Sequence, residues 1–146
     1  MRLGLFGGTF DPLHNGHLIA ASDALTALAL DRVVLIPAAV QPLKAATPAT
    51  APQHRLAMVR GAIGRDGRFD VDALEIDRSG LSFTVDTLET YAARHPADDL
   101  FLIVGADVLA TFDQWRLPDR IRELATLAVL ERSGGESAVG GGAQES

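Results

Sequence analysis

The chain has 146 residues, a formal net charge of −6 at pH 7 and 47% hydrophobic residues, with no cysteine. This length and composition predict one globular domain with a sizeable core. The negative charge argues against a nonspecific nucleic-acid binder, and no apolar run approaches the roughly 18 residues of a membrane span. Without a visible secretory signal or any disulfide, we expect a cytoplasmic protein with neither nucleic-acid nor membrane partners, and its oligomeric state stays open.

Apolar runs alternate with helical patterns along the first 132 residues. In chain order the sequence predicts a strand at "RLGLF", a helix over 16–30, a strand over 31–37, a loop over 38–52 and a helix at "QHRLAMVRGAIG". A strand at "RFDVDALEI", a capped helix at "LSFTVDTLETYAARHP", a strand over 100–107, a helix at "PDRIRELA" and a strand at "TLAVLER" follow. Ser82 or Thr84 is the expected cap of the third helix.

Strands separated by helices predict an α/β fold, a doubly wound parallel sheet of about five strands with helices on both faces. The last residues, 133–146, are rich in Gly and Ser and predict a disordered tail. The predicted domain therefore covers residues 1–132.

The stretch "LFGGTFDPLHNGH", residues 5–17, stands between the first strand and the first helix. Ligands of such sheets bind beyond the carboxyl ends of the strands, where helices begin. Gly7 and Gly8 allow close approach of a ligand to the backbone, and the helix start supplies N–H groups suited to phosphate. His14 and His17 are three residues apart, so a helical turn places both on one side, where imidazoles can donate to phosphate.

Other interpretations of this stretch are weaker. No G-x-x-x-x-G-K or G-x-G-x-x-G pattern follows the strand. A zinc site would need a third ligand, and none is evident nearby, so we predict no protein-bound metal. A structural glycine turn with surface histidines remains the plain alternative.

The segment "GGTFDPLHNGH" resembles the nucleotidyltransferase signature, and in this form it is similar to bacterial nicotinate-nucleotide adenylyltransferases. The segment "SFTVDTL" (82–88), "GAD" (105–107) followed by Trp115, and Lys44 after a proline loop resemble further motifs of that family. Leu43 stands where the family often has histidine. The resemblance covers residues 1–132 and implies the Rossmann-like nucleotidyltransferase fold.

The resemblance implies adenylyl transfer from ATP to nicotinate mononucleotide, giving deamido-NAD and pyrophosphate in NAD biosynthesis. Magnesium is expected on the ATP phosphates, with water filling its coordination shell. His14, His17 and Lys44 are the expected catalytic residues, although a lysine in such a loop is often only solvated. The expected ATP-binding residues are Gly7, Gly8, Thr9, Phe10, His14, His17, Gly105 and Asp107. Asp107 could instead be a helix cap.

The mononucleotide is expected to lie elsewhere. Its flat, cationic pyridinium ring suits stacking on Trp115, and its carboxylate suits N–H groups at the helix start Ser82, Phe83 and Thr84. Trp115 could instead be a packing residue.

The family's C-terminal Ser-Ser-Thr-x-x-Arg segment has no match after "TLAVLER". This leaves open a truncated nucleotide-binding remnant with little turnover. An enzyme resembling phosphopantetheine adenylyltransferase is a second alternative, disfavoured by "SFTVDTL" and by Trp115.

Overall fold

The computed structural model describes residues 1–40, 42, 50–133 and 136–144. The strands are β1 (Arg2–Gly8), β2 (Arg32–Pro37), β3 (Phe69–Val71), β4 (Asp99–Gly105), β5 (Thr126–Ser133) and β6 (Glu136–Gln144). The helices are α1 (Asn15–Ala27), α2 (Pro52–Ile63), α3 (Leu74–Arg78), α4 (Thr84–Arg94), α5 (Ala106–Leu109) and α6 (Pro118–Leu124), with a 3-10 helix at Phe112–Gln114. Within these ranges no helix is long and apolar enough to cross a membrane.

The strands form one sheet in the order β3-β2-β1-β4-β5-β6. The first five strands pair in parallel, and β6 pairs with β5 in the antiparallel direction. From β1 the chain steps outward to β3 and then returns to place β4 on the other side of β1. This is the doubly wound arrangement that the alternating pattern predicts.

The sheet is covered on both faces, which explains the nearly unbroken apolar runs of its strands. One face packs against α4 and α6 through buried residues that include Leu5, Val104, Leu88 and Ile121. The other face packs against α1 and α2, where Ala21, Ala24 and Val59 are buried against alternate strand residues.

Two segments differ from the sequence prediction. The predicted third strand is real only over Phe69–Val71, because the chain turns into the short helix α3 at Leu74. Ile76 is buried on that helix, so a single helical turn meets the burial that the apolar residues had suggested for a strand. In place of the predicted disordered tail the structure has β6, whose pairing satisfies backbone groups along the outer edge of β5.

The order of the strands reverses beside β1, where the chain returns from β3 to place β4 on the other side of β1. The β1–β4 ladder pairs Arg2 with Asp99 through Leu5 with Leu102, and both strands continue, to Gly8 and to Gly105. Crevices at such reversal points, beyond the carboxyl ends of the strands, are where ligands of open α/β sheets bind.

Candidate functional site

The two histidines of the loop after β1 form a reciprocal cap at the start of α1. His14 is the N-cap residue, and its Nδ1 accepts a hydrogen bond from the Gly16 N–H at 3.1 Å. In return, the Nδ1 of His17 accepts from the backbone N–H of His14 at 3.1 Å. The two ring centroids lie 3.9 Å apart, with the ring planes inclined at 35°. The predicted pairing of the histidines on one side of a helical turn is confirmed.

These contacts determine which ring nitrogen carries hydrogen. A neutral imidazole has one N–H donor and one acceptor nitrogen. Because each Nδ1 accepts a backbone N–H, the hydrogen of each neutral ring is on Nε2. Nε2 is therefore the nitrogen of each neutral ring that can donate to an anion at the positive end of a helix.

Gly16 makes room for this cap. A Cβ atom built on Gly16 would lie 2.8 Å from Cε1 of the His14 ring, far inside contact distance. Gly8 is similarly restricted, since a Cβ there would lie 3.2 Å from the Phe10 ring. A Cβ at Gly7 would approach only the Ile36 carbonyl oxygen, at 3.8 Å, so Gly7 keeps an open backbone face at the end of β1.

Phe10, an expected ATP-binding residue, has its side chain in the core. The residue is only 4% exposed, and its ring packs edge-on against Phe6 and His17, with centroids 5.5 and 5.3 Å away. Its φ of 50° is unusual for a residue with a bulky side chain. Any contact of Phe10 with a ligand would therefore come from its backbone, while its ring supports His17.

A buried arginine lies behind this loop. Arg55 on α2 is 1% exposed, and its guanidinium donates to the carbonyl oxygens of Thr9 at 2.8 Å, Ala38 at 2.6 Å, Ala39 at 3.0 Å and Thr50 at 2.8 Å. Burial lowers the pKa of Arg55, and the Asp11 carboxylate partly offsets this. Such a cation remains charged, because a guanidinium is not deprotonated in proteins.

Asp11 ties the same loop to the beginning of the next segment. Its carboxylate accepts the Thr50 N–H at 2.7 Å, and hydrogen bonding from Thr50 lowers the pKa of Asp11. Asp11 therefore shapes the loop, as its place beside Pro12 suggests.

The start of α4 differs from the sequence prediction in its cap. The N-cap residue is Phe83, with no side-chain capping bond, so the expected capping by Ser82 or Thr84 is wrong. The Ser82 hydroxyl is buried and accepts the Ala39 N–H at 3.0 Å, while the Ser82 N–H donates to the Val40 carbonyl at 2.7 Å. A ligand at this helix start would meet the backbone N–H groups of its first turn, which have no partner within the helix.

Trp115 is partly buried and lies close to this helix start. Its ring packs against Phe112 at 5.1 Å, and its Nε1–H donates to the Thr111 hydroxyl at 3.0 Å. The neighbouring Arg116 places its guanidinium 4.9 Å from the centroid of the Phe83 ring. Arg116, next to Trp115, therefore contacts Phe83 at the start of α4, and the mononucleotide site in this region stays a prediction.

Gly105 and Asp107 stand at the carboxyl end of β4, next to β1. A Cβ on Gly105 would lie 2.8 Å from Oδ1 of Asp107, so the glycine leaves space for that carboxylate. Asp107 is exposed in the first turn of α5. The N-cap of α5 is Gly105, so the alternative role of Asp107 as the helix cap is wrong, while its ribose contact stays a prediction.

Lys44, an expected catalytic residue, lies outside the described residues. Within the described ranges, no group of three or more His, Cys, Asp or Glu side chains could hold a metal ion.

Sequence reasoning missed two buried charged residues, Arg55 and Glu75, the second of which is 7% exposed. Burial raises the pKa of Glu75, while the Thr87 hydroxyl, which donates to it at 2.6 Å, opposes that shift. Arg55 had a detectable signal, because it occupies the same stripe of α2 as the buried Val59. A charge on the apolar face of a helix needs buried partners.

The model of the cytidylyltransferase-like family matches residues 5–140. A probable nicotinate-nucleotide adenylyltransferase of Gemmatimonas aurantiaca is 52% identical over 132 residues, which are 90% of this chain and 62% of that protein. The protein of the same name from Thermus thermophilus is 46% identical over 134 residues, 92% of this chain and 71% of that protein. The chain thus spans about two thirds of the length of these relatives.

Solved structures agree on the fold. A Plasmodium falciparum nicotinic acid mononucleotide adenylyltransferase complexed with NaAD superposes with a TM-score of 0.79 at 18% identity, covering 92% of this chain and 66% of that chain. A putative nicotinate-nucleotide adenylyltransferase from Vibrio parahaemolyticus gives 0.74 at 20% identity, covering 92% and 77%. The family model and the sequence relatives place this chain in the cytidylyltransferase-like family, among the probable nicotinate-nucleotide adenylyltransferases.

Proposed function

We propose that this chain transfers the adenylyl group of ATP to nicotinate mononucleotide, forming deamido-NAD and releasing pyrophosphate. The observation that carries this proposal is the reciprocal cap of His14 and His17 at the start of α1, in the loop that follows Gly7 and Gly8 of β1. Relatives of known name and the family resemblance indicate the same reaction.

In this reaction an oxygen of the mononucleotide phosphate forms a bond to the α-phosphorus of ATP. The bond from that phosphorus to the bridging oxygen breaks, and its electron pair leaves with pyrophosphate. The nucleophile needs no general base, because the second pKa of a phosphate monoester is about 6. The protein must therefore align two anions and stabilise the charge that moves to the leaving group.

The histidines are suited to the second task. We assign His14 to the region of the α-phosphate and His17 to the other ATP phosphates, with Lys44 as a further phosphate contact. The N–H groups at the start of α1 add to their positive potential. Because the donors are neutral Nε2–H groups, they stabilise phosphate without any requirement that the rings be protonated.

The mononucleotide is proposed to occupy the crevice between the start of α4 and Trp115. A carboxylate gains from the N–H groups and dipole of the first helical turn, whereas a neutral amide gains less. The pyridinium face suits the indole of Trp115, and we assign Asp107 to a ribose hydroxyl. This arrangement supports nicotinate over nicotinamide mononucleotide.

Magnesium is proposed to enter with ATP, bound to phosphate oxygens and water, where it would neutralise charge on the leaving pyrophosphate. The cytoplasm remains the predicted place of the reaction.

The test is steady-state pyrophosphate release from ATP with three acceptors: nicotinate mononucleotide, nicotinamide mononucleotide and phosphopantetheine. We expect the largest kcat/KM with nicotinate mononucleotide, and quenching of Trp115, the one tryptophan of the chain, when that ligand binds. Preference for phosphopantetheine would instead indicate the reaction of a phosphopantetheine adenylyltransferase. Binding of both substrates without turnover would favour a nucleotide-binding remnant.

A further inference from the structure

The buried guanidinium of Arg55 is used in an unusual way. Within the described residues, its four hydrogen bonds go to backbone carbonyl oxygens, those of Thr9, Ala38, Ala39 and Thr50. A buried charge is costly unless it is well compensated, so such a group is retained where the backbone it holds matters. The carbonyls that it binds belong to the loop after β1, to the segment after β2 and to the residue before the cap of α2.

On the first side, Arg55 holds the loop between β1 and α1, residues 9–14, which is called the phosphate loop below. Its Nη1–H donates to the Thr9 carbonyl at 2.8 Å. The next residue, Phe10, has φ of 50°, a conformation that persists only where the surroundings hold it. The Phe10 ring then contacts the His17 ring, so the position of Thr9 is transmitted to one of the two histidines.

On the second side, Arg55 holds the end of β2. Its contacts with the Ala38 and Ala39 carbonyls fix one side of this segment. The opposite side is fixed by the start of α4, because the Ser82 hydroxyl accepts the Ala39 N–H and the Ser82 N–H donates to Val40. The Ala38 N–H also donates to the Gly8 carbonyl at 2.9 Å, which joins this segment to β1.

We propose that Arg55 is a positioning residue that sets the spacing between the phosphate loop and the start of α4. This inference rests on the proposed function, in which ATP occupies the first of these elements and nicotinate mononucleotide the second. Arg55 touches neither substrate. It keeps the two half-sites at the separation that in-line attack requires, and a shift of about 1 Å in such alignment can cost a hundredfold in rate.

The variants are Arg55→Lys, which keeps the charge but loses the planar fork, and Arg55→Met, which removes every donor at similar length. Arg60→Met is the matched control, because Arg60 is an exposed arginine of the same helix. If Arg55→Met does not fold, Arg55→Lys carries the test.

Two readouts are needed. Hydrogen exchange of the Ala38 and Ala39 amides should be at least about tenfold faster in Arg55→Lys than in Arg60→Met, with exchange in α6 unchanged. In pyrophosphate release, kcat should fall at least about tenfold while the KM for nicotinate mononucleotide stays within about threefold, since each half-site still binds its own ligand.

The inference is overturned if the Ala38 and Ala39 amides exchange at the same rate in Arg55→Lys and Arg60→Met. Uniformly faster exchange that includes α6 would also overturn it, as would local loosening with unchanged kcat. If the parent chain releases no pyrophosphate with any acceptor, the proposed function fails, and the exchange measurement alone decides the role of Arg55.

Discussion

At the scale of single residues, the two histidines have a structural and a chemical task in the same rings. Nδ1 of each ring completes the cap of α1, and Nε2 is the nitrogen that the proposed function assigns to phosphate. Replacement by alanine would remove both tasks together. The two tasks of His17 can be separated, because glutamine is a usual residue at the N3 position of a capping box, which His17 occupies here.

We predict that His17→Ala lowers both stability and turnover, whereas His17→Gln restores the stability alone. The cap is worth about 1 kcal/mol of the free energy of unfolding. Loss of the phosphate donor should lower kcat about a hundredfold or more in both variants. Thermal melting and pyrophosphate release on the same preparations measure the two effects.

The control is His95→Ala. His95 is the C-cap of α4, four residues before β4 begins, and this variant should keep the parental kcat. Turnover of His17→Gln within threefold of the parent would remove His17 from the phosphate site.

Gly16 offers a test of the same cap by size rather than by chemistry. We predict that Gly16→Ala lowers kcat at least about tenfold, because its Cβ would displace the His14 ring. Gly61→Ala is the matched control in α2, where a Cβ meets nothing within 4 Å. That control should gain up to about 1 kcal/mol of stability from helix propensity and keep its activity. Equal kinetics of the two alanine variants would show that the His14 ring position does not matter.

At the scale of elements, α3 and α4 are joined by a buried polar network. The Thr87 hydroxyl donates to Glu75 at 2.6 Å and accepts from Arg78 at 3.1 Å. Burial is the main reason that the pKa of Glu75 is raised, and hydrogen bonding to Ser82 opposes the shift. The network therefore supports the Ser82 segment at the start of α4.

A raised carboxyl pKa makes stability depend on pH in a definite direction. The folded state binds the Glu75 proton more tightly than the unfolded state does, whose glutamate pKa is about 4.3. Its contribution to stability is thus fully present below that value and is lost as pH rises through the folded pKa. Glu75→Gln has no such loss, so its free energy of unfolding should rise relative to the parent as pH increases through this window.

Glu89→Gln is the control with the opposite sign. The Arg120 side chain, which donates to Glu89 at 2.6 Å, lowers the pKa of this exposed carboxyl. Its contribution is present above the unfolded pKa and is lost as pH falls. Denaturant unfolding from about pH 3 to 8 measures the difference in the free energy of unfolding between each variant and the parent. This difference should rise with pH for Glu75→Gln and fall with pH for Glu89→Gln, and parallel trends would contradict the assignment of Glu75.

The elements that the sequence predicts best are those with a single strong pattern. The apolar runs of β1, β2, β4 and β5 and the periodic helices α1, α2 and α6 follow from burial on one or two faces. The short helix α3 was missed, because one turn of helix and a short strand bury the same few residues. The predicted cap of α4 was wrong because the Ser82 hydroxyl bonds instead to two partners outside the helix, the Ala39 N–H and the Glu75 carboxyl group.

At the scale of the whole molecule, the fold and half of the site follow from the sequence. The doubly wound sheet requires only alternating patterns, and the pair His14 and His17 requires only helical spacing. The role of Arg55 depends on four carbonyl groups from three separate segments, which no local pattern records. The crevice between β1 and β4 likewise depends on strand order, which is decided by packing of all the helices.

The most direct test of the central claim is detection of the new phosphoanhydride bond by 31P NMR. The chain is incubated with ATP, magnesium and nicotinate mononucleotide, beside the same mixture with His17→Gln. The account predicts resonances of deamido-NAD and pyrophosphate in equal amounts with the parent chain, and at least about a hundredfold slower formation with the variant. Phosphoanhydride formation at equal rates in both mixtures, or hydrolysis of ATP without deamido-NAD, would contradict it.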